Sequence, residues 1–341
     1  MESDIDKQKA IKTLLAKINK DFGDGAIMTL DEFGETEIDC ISTGCVGLDI
    51  ALGGKGMPRG RIVEIIGHES SSKTTITLHL CHTVQKAGGS VAFIDVEHAL
   101  DPEWAKRIGV DVTRMYISQP SNGEEALQIA ELLVSSGYFD LVIVDSVAAL
   151  VPKKELDNEI GEPTMGLQAR LMSQALRVLN PAVSKSNTCL VFINQYRQKI
   201  GVMYGSPDVG TGGLALKFYA SIRLETRATS EVVKGEDDTV IAKGMKAKVL
   251  KNKIAPPFRV AEFFVRYDRG IDTTADLLDH AVKYGIIAKS GAFYSYKDRR
   301  LGQGKENTID FIRSDDKLTT EIFDKVIEIS RTSKPPVEEE V

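Results

Sequence analysis

The sequence predicts an α/β fold: a mostly parallel, twisted sheet flanked by helices, with an N-terminal helix-strand arm before it and a small α/β domain after it. Three observations carry that expectation. From residue 61 onward, the β-rich runs "RIVEIIG", "SVAFIDVE", "RMYIS", "LVIVDS" and "TCLVFINQ" alternate with helical periodicity at 73–86, 123–135 and 166–184. Such alternation is the signature of parallel strands joined by crossover helices. The runs are nearly continuous in Val, Ile and Phe, as strands buried on both faces must be. After about residue 220, "SIRLETR", "KAKVLKNK" and "AEFFVRY" follow one another without long helices, which predicts an antiparallel extension of the sheet.

The elements follow in chain order. Residues 5–22 place Ile11, Leu14, Leu15, Ile18 and Phe22 on one stripe of an amphipathic helix, stopped by Gly23 and Gly25. That stripe must be buried on the chain's own core or on a neighbouring subunit. The arm is expected over 1–33 and the sheet domain over 34–271. "GIDTTADLLDHAVKYG" opens the C-terminal domain, over 272–331. The last residues, 332–341, carry two prolines and three glutamates and read as a disordered acidic tail. Two long loops stand out, about 152–166 ("PKKELDNEIGEPTMG") and 196–213 ("YRQKIGVMYGSPDVGTGG"). Loops of this length inside a compact domain tend to be functional. Both leave the carboxyl ends of parallel strands, where open α/β sheets bind ligands.

Composition is that of an ordinary globular protein, 42% hydrophobic and 27% charged. The polar start "MESDIDKQKA" has no secretory pattern, and no apolar run is long enough to span a membrane. Four scattered cysteines read as free thiols in a reducing cytoplasm. His79, Cys81 and His82 share one short helical stretch with no second cluster of ligands, so no metal site is read there. The net charge of −6 argues against a whole-surface nucleic-acid binder but leaves room for a local basic groove.

The turn after "RIVEIIG" carries the chemistry. Gly67, Lys73 and Thr74 keep the spacing of a phosphate-cradling G-x-x-x-x-G-K-[ST] loop, which spans Gly67, His68, Glu69, Ser70, Ser71, Ser72, Lys73, Thr74 and Thr75. Backbone N–H groups and a helix N-terminus there face an anion. Lys73 neutralises the β and γ phosphates of ATP, and Thr74 offers a hydroxyl to Mg²⁺. Ser72 stands where the second glycine belongs. A non-glycine residue at a φ > 0 position costs about 1–3 kcal/mol, which the fold tolerates but which threatens to slow hydrolysis.

Three strand ends complete an ATPase. Asp145 closes "LVIVDS", as a Mg²⁺-holding acid does. Glu97 closes "SVAFIDVE", placed to orient or deprotonate water. Gln195 closes "VFINQ" and heads the second loop, so it is suited to report the γ-phosphate to that loop. Trp104, the one tryptophan, either packs a core or stacks on adenine.

On these residues the sequence resembles the bacterial RecA recombinase family of P-loop ATPases over about residues 5–331. The carrying blocks include "ISTGCVGLDIALGGKGMPRGRIVEI", "FIDVEHALDP", "VDSVAALVPK", "MGLQARLMSQALR", "FINQYRQKIGVMYG", "TGGLALKFYASIRL", "KNKIAPPF" and "GAFYSYKDRRLGQGK". The resemblance implies an ATP- and Mg²⁺-dependent helical filament on single-stranded DNA. That filament pairs the strand with homologous duplex DNA, exchanges strands, and stimulates self-cleavage of the SOS repressor. In the family's terms Lys73, Thr74, Asp145 and Glu97 keep the roles given above, and the 1–33 helix serves polymerisation. Lys251 and Lys253 would reach the γ-phosphate of the adjacent subunit's ATP. Asp101, Trp104 and Tyr267 fall where the family meets adenine, with Trp104 replacing the usual tyrosine.

The two loops become DNA-binding loops: Met165 and Gly166, with Arg170, Ser173 and Arg177 on the next helix, and Arg197, Lys199, Ile200, Val202, Met203, Gly212 and Gly213. Cations for phosphates and apolar wedges for base steps suit that use. Lys246, Lys248, Lys289 and Lys305 match positions that approach duplex DNA, although each alone reads as a solvated surface charge. His68 and Ser72 depart from the family pattern G-P-E-S-S-G-K-T, and the tail is shorter than in many members. Two alternatives stand beside this reading: a DNA-binding filament whose hydrolysis is impaired by Ser72, and a hexameric helicase on the same core.

Overall fold

The computed structural model describes residues 2–29, 31, 38–159, 166–198 and 208–332. They fall into two compact units, up to Ile38 and from Asp39 onward. The first is helix α1 (Glu2–Phe22) and the turn that ends it. Gly23 takes φ 101° and donates its N–H to the Asn19 carbonyl (2.9 Å). This is the left-handed glycine stop expected past a helix C-terminus. Asn19 then closes the turn with two bonds to the Ile27 backbone. Ile11, Leu14 and Phe22 are exposed.

In the second unit, a short antiparallel pair, β1 (Cys40–Ile41) and β2 (Met57–Pro58), brackets helix α2 (Val46–Ala51). The main sheet holds β3 (Ile62–Gly67), β4 (Val91–Asp95), β5 (Met115–Ser118), β6 (Leu141–Asp145), β7 (Cys189–Gln198), β8 (Asp208–Gly210), β9 (Ile222–Lys234), β10 (Val240–Asn252), β11 (Val260–Arg266) and β12 (Gly270–Ile271). Its order is β12-β11-β10-β9-β3-β7-β6-β4-β5, with β8 paired to β7. From β9 to β5 every neighbour is parallel, and from β9 to β12 every neighbour is antiparallel.

Helices α3 (Lys73–Lys86), α4 (Pro102–Ile108), α5 (Gly123–Ser136), α6 (Lys153–Leu156), α7 (Leu167–Ser186) and α8 (Ala215–Tyr219) connect the strands. Alternate strand residues feed two cores. Val63, Ile65, Phe93, Ile143 and Val191 join Ile76 and Leu80 of α3 in one. Ile62, Ile94, Val142, Val144 and Phe192 join Ala126, Leu127 and Leu176 of α5 and α7 in the other. Burial on both faces is why these runs carry no polar alternation.

The C-terminal residues form α9 (Thr273–Lys283), the antiparallel sheet β13 (Ile287–Ser290), β14 (Phe293–Tyr296), β15 (Arg299–Gln303), and helices α10 (Lys305–Arg313) and α11 (Asp316–Thr332). They share a third core with Val46 of α2. Among the described residues no helix is long and apolar enough to cross a membrane.

Three expectations change. The first long loop is not wholly irregular, since α6 occupies Lys153–Leu156. The second begins later than expected: β7 runs on to Gln198, and β8 pairs back on it antiparallel, Tyr196 opposite Gly210 and Gln198 opposite Asp208. Helix α11 continues through Thr332, the first residue of the expected tail. Residues 333–341 lie outside the described residues.

Candidate functional site

The loop between β3 and α3 is built around one anchored lysine. Gly67 ends β3 with no room for a side chain: a Cβ there would stand 2.4 Å from the Thr226 carbonyl oxygen and from Ser71 Oγ. Ser70 and Ser72 both take left-handed backbone, φ 57° and φ 62°. Serine at 72 thus adopts the conformation for which glycine is the easy choice, and it makes no side-chain cap to α3. Ser71 donates to the His68 carbonyl (2.7 Å) and shares a bond with Thr226 (3.0 Å). Lys73, 8% exposed, donates Nζ to the His68 carbonyl (2.6 Å). Its burial pulls its pKa down, while Asp145, Glu97 and Glu69 act the other way. His68 lies against the Tyr196 ring, centroids 5.3 Å apart, and meets Asp208 (3.2 Å).

Opposite Lys73 stand the acids. Thr74 donates to Asp145 Oδ2 (2.9 Å), which joins the helix start to the end of β6. Burial raises the Asp145 carboxyl to about 6, with Glu97 and Asp95 pushing the same way and the Thr74 bond opposing. A buried carboxylate crowded by two others, with Lys73 only partly offsetting them, favours a further cation, and the hydroxyl beside it is a second hard oxygen. The donor set therefore fits a divalent ion such as Mg²⁺.

Glu97, exposed at the end of β4, accepts from Ser146 Oγ and from Gln195 Nε2 (2.6 Å). Gln195 lies opposite Gly67 in the β3–β7 register, so the two strands bring it to the loop. Asp101 caps α4 by accepting from Glu103 N (2.8 Å), and Trp104 is half-buried against the main core. Tyr267 is 52% exposed beyond β11. Thr75 is buried on α3. No side-chain hydrogen bond or ring contact joins Asp101, Trp104 and Tyr267 to one another among the described residues.

The bases of the two long loops face one cavity lined by Leu150, Pro152, Glu155, Gln168, Arg197 and Thr211. Gln168 ties them together. It donates to the Val147 and Leu150 carbonyls (2.8 and 3.2 Å) and accepts from Gly212 N (3.2 Å). Gly166, Gly212 and Gly213 are all left-handed, at φ 79°, 76° and 80°. Arg170, Ser173 and Arg177 line a second groove along α7. Met165, Lys199, Ile200, Val202 and Met203 lie outside the described residues.

The remaining lysines are spread apart. Lys246 pairs with Glu262 (2.7 Å), Lys305 with Asp279 (2.7 Å), and Lys289 stands over the Tyr294 ring (5.7 Å). Lys248 and Lys253 are exposed. Lys251 donates to the Lys217 and Phe218 carbonyls (both 2.9 Å) and makes no bond to the 67–74 loop of its own chain.

Four residues escaped sequence reasoning: Ser146, Gln168, Glu64 and Asn194. Glu64 and Asn194 leave a trace, as polar residues inside the apolar runs "IVEIIG" and "LVFIN". Gln168 and Ser146 leave none, because their partners are remote backbone or a side chain from another strand.

Two family models together, and many relatives, match the chain over most of its length. The family model of the RecA N-terminal domain matches residues 9–272, and that of the RecA C-terminal domain matches 275–330. The chain is 54% identical over 326 residues to Protein RecA of Clostridioides difficile (strain 630), covering 96% of this chain and 93% of that one. It is 51% identical over 336 residues to Protein RecA of Caulobacter vibrioides (strain NA1000 / CB15N), covering 98% and 93%. To Protein RecA of Streptomyces venezuelae it is 52% identical over 323 residues, covering 95% and 85%.

Proposed function

The chain belongs to the RecA family, and on that premise we propose that it works as a DNA-dependent ATPase and recombinase in DNA repair, assembling as a filament on single-stranded DNA and exchanging strands with homologous duplex. Full-length similarity to RecA proteins gives no support to a hexameric helicase or to a filament crippled in hydrolysis. One observation carries the mechanism: Gln195 at the head of the second loop holds Glu97 at 2.6 Å, joining the hydrolytic edge to the candidate DNA loop.

In this reading the amides of 67–73 and the Lys73 ammonium bind the triphosphate of ATP. Thr74 and Asp145 would hold Mg²⁺, which would neutralise charge developing on the phosphates. Glu97 takes a proton from water, and Gln195 and Ser146 fix the orientation of its carboxylate. Asp101, Trp104 and Tyr267 are assigned to the adenine side. Lys251 and Lys253 act on the neighbouring subunit's nucleotide.

Gly166, Arg170, Ser173, Arg177, Arg197, Gly212 and Gly213 serve the single strand, with the loop residues between them. Lys246, Lys248, Lys289 and Lys305 serve duplex approach. The exposed apolar stripe of α1 suits docking on a second copy. A cytoplasmic location, the 1–33, 34–271 and 272–331 division, and stimulation of the SOS repressor complete the proposal. The test is ATP hydrolysis with and without single-stranded DNA, followed by strand exchange. DNA-stimulated turnover with exchange is the expected result; turnover indifferent to DNA refutes it.

A further inference from the structure

We propose that Glu64 is a positioning residue that sets the root of the second loop and ties it to the strand carrying Lys251. The proposal rests on the recombinase reading above. β3 is otherwise apolar, yet Glu64 sits in its middle at 2% exposure. Its carboxylate has partners from both neighbouring strands. Arg223 of β9 donates Nε to one oxygen, and Asn194 of β7 donates Nδ2 to the other (2.8 Å). A buried ion pair is weak evidence of stability, because well-packed apolar residues of similar volume often do as well or better. A charge retained here calls for another reason.

The next shell of bonds supplies it. Asn194 Nδ2 also donates to the Thr211 carbonyl (3.2 Å). Asn194 Oδ1 accepts from Thr211 Oγ1 (2.5 Å) and from Gln195 N (2.8 Å). Thr211 lines the cavity shared with Arg197 and precedes the left-handed pair Gly212–Gly213. Glu64 accepts only, so it fixes the Asn194 amide with Nδ2 on its own side and leaves Oδ1 to accept from Thr211 and Gln195. Successive strand residues point to opposite faces. Asn194 therefore faces the loop root while Gln195 faces Glu97, and one backbone unit serves both sides of the sheet. On the other flank, Arg223 lies opposite Lys251 in the β9–β10 register. Removing the Glu64 charge would release Asn194 and leave Arg223 unpaired beside that lysine.

The experiment uses the full chain and two variants, Glu64→Gln and the double Glu64→Leu/Arg223→Leu. Hydrolysis is measured without DNA and with oligo(dT), alongside melting temperature. In E64Q the ratio of DNA-stimulated to basal turnover is expected to fall about tenfold while basal turnover is kept. The double variant buries no unpaired charge and is expected to melt like the unsubstituted protein, with stimulation still lost. Stimulation restored in the double variant means the pair is only structural and overturns the proposal, as does full stimulation in E64Q. Absence of stimulation in the unsubstituted protein is a different failure: it refutes the recombinase reading before Glu64 is in question.

Discussion

Replacing Ser72 by glycine tests the account of the phosphate loop most directly. Ser72 holds φ 62° and ψ 26°, and its side chain makes no cap to α3. For an L-residue this left-handed conformation costs about 1–2 kcal/mol, which glycine escapes. Glycine also loosens the unfolded chain, which costs back about 0.4–1 kcal/mol. Ser72→Gly should thus stabilise the fold by a net of about 0.5–1 kcal/mol. In thermal unfolding that is a rise of roughly 2 °C.

Ser72→Ala keeps the backbone strain and should leave the midpoint within about 0.5 kcal/mol of the unsubstituted value. The same reasoning bounds the kinetics. Lys73 and Thr74 already hold their partners beside a serine, so only the released strain is available to hydrolysis. Turnover should rise by no more than about fivefold. A destabilised glycine variant, or alanine matching glycine, would refute the strain argument. A rise of several orders of magnitude would mean that the loop is not preformed.

Three further substitutions probe other links. Glu97→Gln keeps an acceptor for Ser146 and Gln195 but cannot take a proton. Single-turnover hydrolysis should fall about 10²–10⁴-fold with nucleotide-dependent DNA binding intact, and an unchanged rate removes Glu97 from its role. Asp49 is raised by burial to about 6 despite bonds from Ser42 and Thr43. Its folded pKa lies above the unfolded one, so the native state binds the extra proton. Its contribution is full below about pH 4 and is lost as pH rises through 6. Asp49→Asn should accordingly gain on the unsubstituted protein by about 1.4 kcal/mol per pH unit across that window, read from denaturant midpoints, and a flat difference contradicts the assignment. Gln168→Ala removes three bonds at the loop roots and should weaken single-strand affinity about tenfold, measured by anisotropy, with ATP affinity unchanged. Equal loss of both affinities would mean a global rather than a local effect.

What the sequence disclosed and what it hid divide along a physical line. The loop from Gly67 to Thr74 was legible because its chemistry is contiguous: a strand, a tight turn and a helix start lie within one short stretch. The parallel strands were legible because burial on both faces forces an unbroken apolar run. β9 and β10 were legible only in part. Each runs 13 residues; the far half of β9 is largely exposed, where packing imposes little pattern, and the first half of β10 has its apolar run broken by Lys243 and Gly244.

Pairing register is not written in any single strand. Glu97 and Gln195 were each visible as polar strand ends, but their contact depends on β6 lying between β4 and β7 and on Gly67 facing Gln195. For the same reason Glu64 looked like a blemish in "IVEIIG" until Arg223 and Asn194 arrived from either side. A charged residue in a doubly buried strand must find partners across the sheet or be expelled from the fold. Its presence already announces that the neighbouring strands carry complementary groups at one level. In this chain that level also holds the root of the second loop and the strand bearing Lys251, which is why the anomaly in β3 is informative about function as well as packing.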